Sequence, residues 1–567
     1  IDMAWTWDWR ETVDVVFPIT FGKALRMMEA FPEYKFTQNQ MLGMAKCEEV
    51  YPDMFAQIQQ RIREGRWTPI GGQWLEPDTN MPTGESLARH CLWGQRFAKS
   101  RFGKTHRTAW ATDNFGHCWT LPQIFAKSGI QNYLFGRCGK GYPVFWWQGL
   151  DGSRVLAAHM RFPLPMGRLA EEALQTVSDY KVSHLMYLFG GGDHGGGPNE
   201  QDMAAIEKLR QTEPSPKIIL SGGQEFFDGI RPEADGLPVV NEELNFQFEG
   251  CWTSQAEMKL RNRRLESLLF SAEALSAAAR LPGLGWRPLG YEKAELDRAW
   301  EALLLNQFHD ILPGSGIHDT HTEALQRYID AEETAGRALS RAAQRIGSAA
   351  GTRGEGIPVV VVNSLAWDRS GPVEVEVELP KGWKNLVAAD SEGRLAPAQI
   401  IGQGSGEKVK VLFTAAGLPA LGFKSFWLRK EKPAGDLKAQ AAGLLTNGRL
   451  EAAFDPATGT LKSLTLDGRE YLSGASCHLV ALEDKPPSMS AWELGLTGRE
   501  SPAETGKVEI LEQGPARVTL RVRSAFGGSR FCQDISLYHG LDYLECRFEA
   551  DWQERDTLLA SKRSEEH

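Results

Sequence analysis

Near residue 357 the hydrophobic period of the chain changes, and this confines it to a few architectures. Before that point short apolar runs alternate with helical patterns. Ala109-Trp110-Ala111-Thr112 and Leu185-Met186-Tyr187-Leu188-Phe189 read as buried strands, each followed by a polar, glycine-rich loop. From Tyr51-Pro52 to Arg66, Met54, Ile58 and Ile62 recur at helical spacing and Gly65 marks the end. Repetition of strand, loop and helix up to about residue 225 predicts an α/β domain with a mostly parallel sheet. Ligands bind such sheets at the C-terminal ends of the strands. The loops at Asp2, Asp113 and Asp193 are expected there, with the chain opening inside a strand.

From about 255 to 350 the pattern is helical. Leu296, Trp300, Leu303 and Leu304 form one apolar stripe, Pro313-Gly314 stops it, and Glu323 to Ala349 continues as another helix. Beyond 357, Val373 to Leu379, Val518 to Val522 and Leu544 to Phe548 alternate apolar with polar, as half-buried antiparallel strands do. A β-sandwich follows. The strands are expected to end after Trp552, with no strand in the polar stretch from Ser561 to His567.

A chain of 567 residues is too long for one core. The expected division is an α/β barrel-like catalytic domain over 1–250, a helical bundle over 251–350, and a β-sandwich, incomplete, over 351–567. The net charge is −10 and no basic block occurs, which argues against nucleic acid as a partner. No apolar run reaches the length of a membrane span. Eight cysteines without a C-x-x-C pair read as free thiols in a reducing, cytoplasmic setting. Oligomeric state stays open, a homo-oligomer included.

Several polar loops carry chemistry. Asp2 is followed by Trp5, Trp7 and Trp9, so a carboxylate sits among indoles whose flat faces suit a pyranose. Asp113 and Asp193 lie in turn-rich loops, and two carboxylates from separate strand ends are what glycoside hydrolysis needs. Turn or helix-cap aspartates would look the same. His309-Asp310, after an amphipathic helix, suits a metal ligand beside an orienting carboxylate, or a charge on a helix end. His117, His194, His318 and His321 are further candidates. No H-x-x-x-H or H-E-x-x-H spacing exists, so spacing alone assigns no metal.

Taken together, the motifs resemble glycoside hydrolase family 38, the class II α-mannosidases, in its bacterial and cytosolic branch. Ile1-Asp2-Met3-Ala4-Trp5 looks like the family's His-Ile-Asp-x-x-Trp opening without its first residue. Gly65-Arg66-Trp67, Gly71 to Asp78 and Gly84-Glu85-Ser86 follow in the family's order. Asp113 to His117 resembles the nucleophile loop, Gly192 to Pro198 the acid loop, and Gln307 to Asp310 before Pro313-Gly314-Ser315 the third site loop.

The resemblance implies a retaining exo-α-mannosidase with one zinc ion. By motif, Asp2, Asp113 and His309 would bind zinc, Asp113 would be the nucleophile and Asp193 the general acid/base. Trp5 and Phe115 would wall the sugar, Arg137 would lie beside the nucleophile, and Asp310 would hold a sugar hydroxyl. The partner is then an α-mannoside carbohydrate. The resemblance also implies a fourth zinc contact from a His before Ile1, with weak zinc binding where it is lacking, and a chain shortened at both ends. Other readings are a hydrolase of a special α-mannoside such as mannosylglycerate, a sugar-binding fragment without turnover, and a metal-dependent polysaccharide deacetylase.

Overall fold

The computed structural model describes residues 1–160, 169–212, 217–281, 290–434, 437–440 and 443–562. They form two compact units. One comprises Ile1–Leu269, Lys293–Ala335 and Ala491–Glu493; the other comprises Phe270–Glu292, Gly336–Ser490 and Leu494–His567.

The first unit is α/β. Its larger sheet contains β3 (Thr108–Ala111), β4 (Asn132–Phe135), β5 (Val144–Gln148), β6 (Arg154–His159) and β7 (Val239–Val240), in the order β3-β4-β6-β5-β7. β3, β4 and β6 run parallel, and only the β5–β6 pair is antiparallel. Two further short strands, β1 (Phe36–Gln38) and β2 (Trp67–Pro69), pair in parallel.

Successive residues of a strand point to opposite faces, and here both faces are buried. Ala109, Tyr133, Phe135, Phe145 and Trp147 pack with Leu121 and Phe125 on one side. Trp110, Leu134, Val144 and Leu156 pack with Phe226, Phe227 and Ile230 on the other. Burial on both faces is why these strands read as continuous apolar runs.

The helix expected after Tyr51 spans Pro52–Arg63; Phe55, Ile58 and Ile62 are buried, and Gly65 follows at φ 72°. The stripe of Leu296, Trp300, Leu303 and Leu304 is buried in the helix Lys293–Asn306. Two longer helices, Ala256–Ala278 and His318–Ala349, complete the helical region, the second starting before Glu323.

Three expectations about the first unit's strands need correction. Residues 185–189 form no extended strand. Leu185, Met186 and Leu188 instead lie partly buried against the core on one sheet face. A short apolar run satisfied by packing is indistinguishable in sequence from one satisfied by strand pairing. Asp193 therefore does not follow a strand. Residues 1–8 are also irregular rather than a strand, and lead into a helix whose Thr12–Val16 turn is π-helical.

The second unit is antiparallel throughout its described sheets. β8 (Ile357–Val362), β9 (Arg369–Val377), β10 (Leu386–Asp390), β11 (Leu395–Gln403), β12 (Val409–Leu418) and β13 (Phe423–Lys430) make one sheet in the order β8-β13-β10-β11-β12-β9. In β9 Val377 is buried while Glu374 and Glu376 are exposed, the expected alternation. Farther on, a sheet carrying Leu445, Leu450, Ala452 and Phe454 shares one core with a sheet carrying Val518, Leu520, Val522, Ile535 and Leu537.

Two expectations fail here. The strand Leu544–Asp551 is exposed over all but Leu544, because it is the edge strand of its sheet. Another strand, Thr557–Lys562, follows Trp552 and pairs with His478–Asp484. The remainder of the polar end, 563–567, lies outside the described residues.

Candidate active site

Parallel pairing builds the first part of the site. Ala111 is in register with Phe135, the last residues of β3 and β4. Two residues beyond each, the chain carries Asp113 and Arg137, so the strand ends bring an acid and a base side by side. They form a short ion pair and hydrogen bond. Burial raises the Asp113 pKa, Arg137 pulls it down, and the charge of Asp193 raises it again. Arg137 also lies over Phe248, 5.0 Å from the ring centroid.

The second part comes from the end of the helix Lys293–Asn306. There the chain turns and pairs with an upstream stretch: the Asp78 amide donates to the Gln307 carbonyl (2.8 Å), and the His309 amide to the Glu76 carbonyl (3.3 Å). His309 Nδ1 lies 3.2 Å from the same Glu76 carbonyl. A carbonyl only accepts, so Nδ1 carries the proton and Nε2 keeps a free lone pair.

That Nε2 is buried without a hydrogen-bond partner. It lies 3.6 Å from Asp2 Oδ1 and 3.5 Å from Asp310 Oδ2. Asp2, His309 and Asp310 bring one ligand atom each within 4.8 Å of the others, and form a group able to hold a metal ion. An orphaned imidazole nitrogen facing two carboxylates, with its other nitrogen fixed by a carbonyl, fits a cation. Asp113 stands outside this group, engaged by Arg137.

The electrostatics agree with the geometry. Burial holds Asp2, Glu76 and Asp310 above the usual carboxylate range, and their mutual repulsion or that of Asp113 adds to it. Burial also pushes His309 down to about 3, so its imidazole is neutral. Neutral imidazole and closely spaced acids are the state that a metal ion takes up.

The glycine-rich loop closes a third side. The Asp2 amide donates to the Asp193 carbonyl (2.9 Å), which ties this loop to the metal-competent group. Gly191 and Gly197 pair across the loop's base, and the Gly196 amide donates to Thr20 Oγ1 (3.0 Å). Gly195, at φ 91°, has no room for a Cβ: Thr20 Oγ1 would lie 2.4 Å away. The Asp193 side chain is exposed, and its charge raises the pKa of both Asp2 and Asp113.

Trp5 is held through its backbone, its amide donating to the Trp7 carbonyl (3.0 Å) and its carbonyl accepting from the Ile317 amide (2.8 Å). Its indole meets Trp7 edge-on at 6.1 Å. Phe115 is 3% exposed, between Phe248 (5.2 Å) and His309 (6.1 Å), so it packs the site's wall more than its surface.

The other histidines do not join this group. His117 is buried against Tyr133 Oη (2.7 Å), and His194 pairs with Glu11 (2.8 Å). His318 and His321 lie in the first turn of their helix.

Glu76 was not singled out from the sequence. Its carbonyl fixes His309, Oε1 accepts from the Asp113 amide (3.0 Å), and Oε2 accepts from Asn39 Nδ2 (2.9 Å). The signal lay in its setting, an acid amid Trp74, Leu75 and Pro77 in a continuously buried stretch.

Family models match along the chain. The glycosyl hydrolases family 38 N-terminal domain covers residues 1–249, the alpha mannosidase middle domain 247–346, and the glycosyl hydrolases family 38 C-terminal domain 445–563. Alpha-mannosidase 2C1 of Homo sapiens is 31% identical over 589 residues, covering 99% of this chain and 53% of that protein. Alpha-mannosidase G of Dictyostelium discoideum is 32% identical over 342 residues, covering 58% of this chain and 30% of that protein. The chain thus spans about half, or less, of the length of these relatives. In fold it is similar to an alpha-mannosidase from Enterococcus faecalis V583, with a TM-score of 0.81 at 17% identity over 99% of this chain and 74% of that one.

Proposed function

Because the chain belongs to glycosyl hydrolase family 38, we propose that it is a retaining exo-α-mannosidase that removes terminal α-linked mannose. The observation that carries this reading is the meeting of five chain-distant segments around Glu76. The Asp113–Arg137 pair and the Asp2–His309–Asp310 group converge on Glu76, and the Asp193 loop is bonded to Asp2.

In this reading the Asp113 carboxylate attacks the anomeric carbon while Asp193 protonates the departing oxygen. A glycosyl ester forms on Asp113 and the leaving group departs as an alcohol. Water then attacks the same carbon, giving its proton to Asp193, and Asp113 is released. Arg137 keeps Asp113 ionised and aimed, against the burial that favours its proton. Trp5 and Phe115 shape the sugar pocket, and Asp310 holds a sugar hydroxyl.

Zinc is the metal that a mixed carboxylate and imidazole set favours. Asp2 and His309 would hold it. Asp113 is the third ligand that the family resemblance supplies, and Asp310 is the carboxylate brought nearest in the fold. A bound metal would grip adjacent sugar hydroxyls and neutralise the acids around it.

Two features support the setting. Cys47, Cys91, Cys118, Cys138, Cys251 and Cys532 are free thiols, as in a reducing cytoplasm. No described helix is long and apolar enough to cross a membrane.

The test joins metal analysis to a glycoside panel. Expected are about one zinc per chain, turnover of aryl α-mannosides in preference to other aryl glycosides, and retained anomeric configuration by NMR. Asp193→Asn should lose turnover most on poor leaving groups and least on activated aryl ones, since the latter need little protonation. Sugar binding with no turnover in the metal-loaded chain would point to a lectin instead. Deacetylation of an acetylated polysaccharide would point to the deacetylase.

A further inference from the structure

Phe246 and Trp252 form an aromatic pair on the segment that borders the nucleophile loop. Phe246 is 63% exposed, and the two rings lie 5.6 Å apart at 65°. A single exposed ring needs no explanation, but this pair is held in an unusual way. Leu244 and His117 exchange backbone hydrogen bonds of 2.9 and 3.1 Å, which lace the segment to the Asp113 loop. Asn245 Oδ1 accepts from Asn80 Nδ2 (3.4 Å) and occupies the space that a Cβ on Gly116 would need. Phe248 lies on Phe115 and under Arg137. At the far end the Gly250 amide donates to the Trp492 carbonyl (2.9 Å), and Ser254 Oγ to the Ala491 carbonyl (2.8 Å). The segment is thus pinned on both sides of an exposed ring, two residues from one that packs in the site's wall.

We propose that Phe246 and Trp252 are the platform for the leaving half of the substrate, and that this half is itself a sugar ring. The proposal rests on the α-mannosidase reading and narrows it. A pyranose has an apolar C–H face that gains by lying on an aromatic ring. A small acid such as glycerate has no such face and calls for a free cation. The cations bordering this segment are already engaged, Arg137 by Asp113, Lys140 by Glu242 at 3.5 Å, and Lys259 by the Ser254 and Pro313 carbonyls. The platform therefore selects mannosyl oligosaccharides over mannosides of small anions.

The test compares the full metal-loaded chain with its Phe246→Ala variant, in which an exposed ring is removed and the fold is not at stake. For an α-linked mannobiose, kcat/KM should fall about tenfold, mostly through KM, the scale of one ring face returned to water. For methyl α-mannoside, which has no second ring, it should stay within about twofold. Equal losses on both substrates, no loss on either, or faster cleavage of mannosylglycerate than of mannobiose would overturn the proposal.

A second measurement needs no turnover. Saturation-transfer NMR of mannobiose, in an Asp113→Asn background, should label the reducing-end ring and lose that label with Phe246→Ala. If the parent chain hydrolyses neither substrate, the activity reading fails by itself. The NMR contrast then still decides the platform, and an unlabelled reducing-end ring would overturn it.

Discussion

Burial holds Asp2, Glu76, Asp78, Asp113 and Asp310 of the first unit above the ordinary carboxylate range. In the second unit Asp390, Asp455, Glu470 and Asp534 lie below it. Asp455 and Glu470 are drawn to about 2 by Lys462 and by Ser463, each helped by backbone amides. Asp390 falls despite its burial, because Lys424, Arg394 and two backbone amides outweigh it. The same side chains thus play opposite parts. The sheets of the second unit give each acid its donors and gain stability from it. The first unit gathers acids beyond the cations it supplies, a cost kept where chemistry needs the charge.

Removing one acid from each unit gives the largest contrast. Asp113→Asn should lower kcat/KM for an aryl α-mannoside by roughly 10³-fold or more, as loss of a nucleophile does, with little change in melting temperature. Asp390→Asn should leave kcat untouched. A tenth or more of parental turnover in the first variant would overturn the proposal that Asp113 is the nucleophile.

Stability should show the reverse order. Asp390 is 6% exposed and accepts from Lys424, Arg394 and the amides of Glu392 and Arg394. Asp390→Asn should destabilise the second unit by about 1–3 kcal/mol at pH 7. Its folded pKa is depressed, so the stabilisation is present above the unfolded value near 4. It is lost as pH falls through the lower folded value. Hydrogen exchange of β10 and β13 should therefore separate parent from variant at pH 7 and lose that separation on acidification below pH 4. A gap that persists in acid would mean shape, not charge, holds Asp390.

The smallest effect is expected at Asp78, which is buried and accepts from the amides of Asn80 (2.9 Å) and Met81 (2.7 Å). Its folded pKa is raised by burial, so its charge costs stability above that value, and the cost disappears as pH falls toward the unfolded one. Asp78→Asn keeps an acceptor without the charge. The first unit's stability in denaturant at pH 7 should be unchanged or raised. A loss as large as that for Asp390→Asn would break the comparison.

How much of this is legible in sequence differs from element to element within each unit. The place of Asp113 just past a buried strand is legible because β3 is apolar on both faces. The helix stripe at Leu296 to Leu304 was legible from period alone. Glu76 was not, because half of its contribution is a backbone carbonyl, which any residue carries. The misread strand at 185–189 failed because pairing is a property of a neighbour, and the run had packing instead. Alternation predicts Phe548 half-buried, yet it is 46% exposed on an edge strand that the pattern does not distinguish from a central one.

The double duty of Glu76 bears on how such a molecule is recombined. One residue anchors the imidazole through its main chain and the Asp113 turn through its side chain, while Asn39 steadies it from a third place. The site loops are thus cut to a shared template and are not independent modules. A graft of the 306–316 loop from a relative would be fitted to a foreign carbonyl position. Transplanting it together with 39–40, 71–80 and 111–117 keeps the template whole. Loop exchange in this scaffold succeeds or fails as a set, and the set is delimited by what touches Glu76.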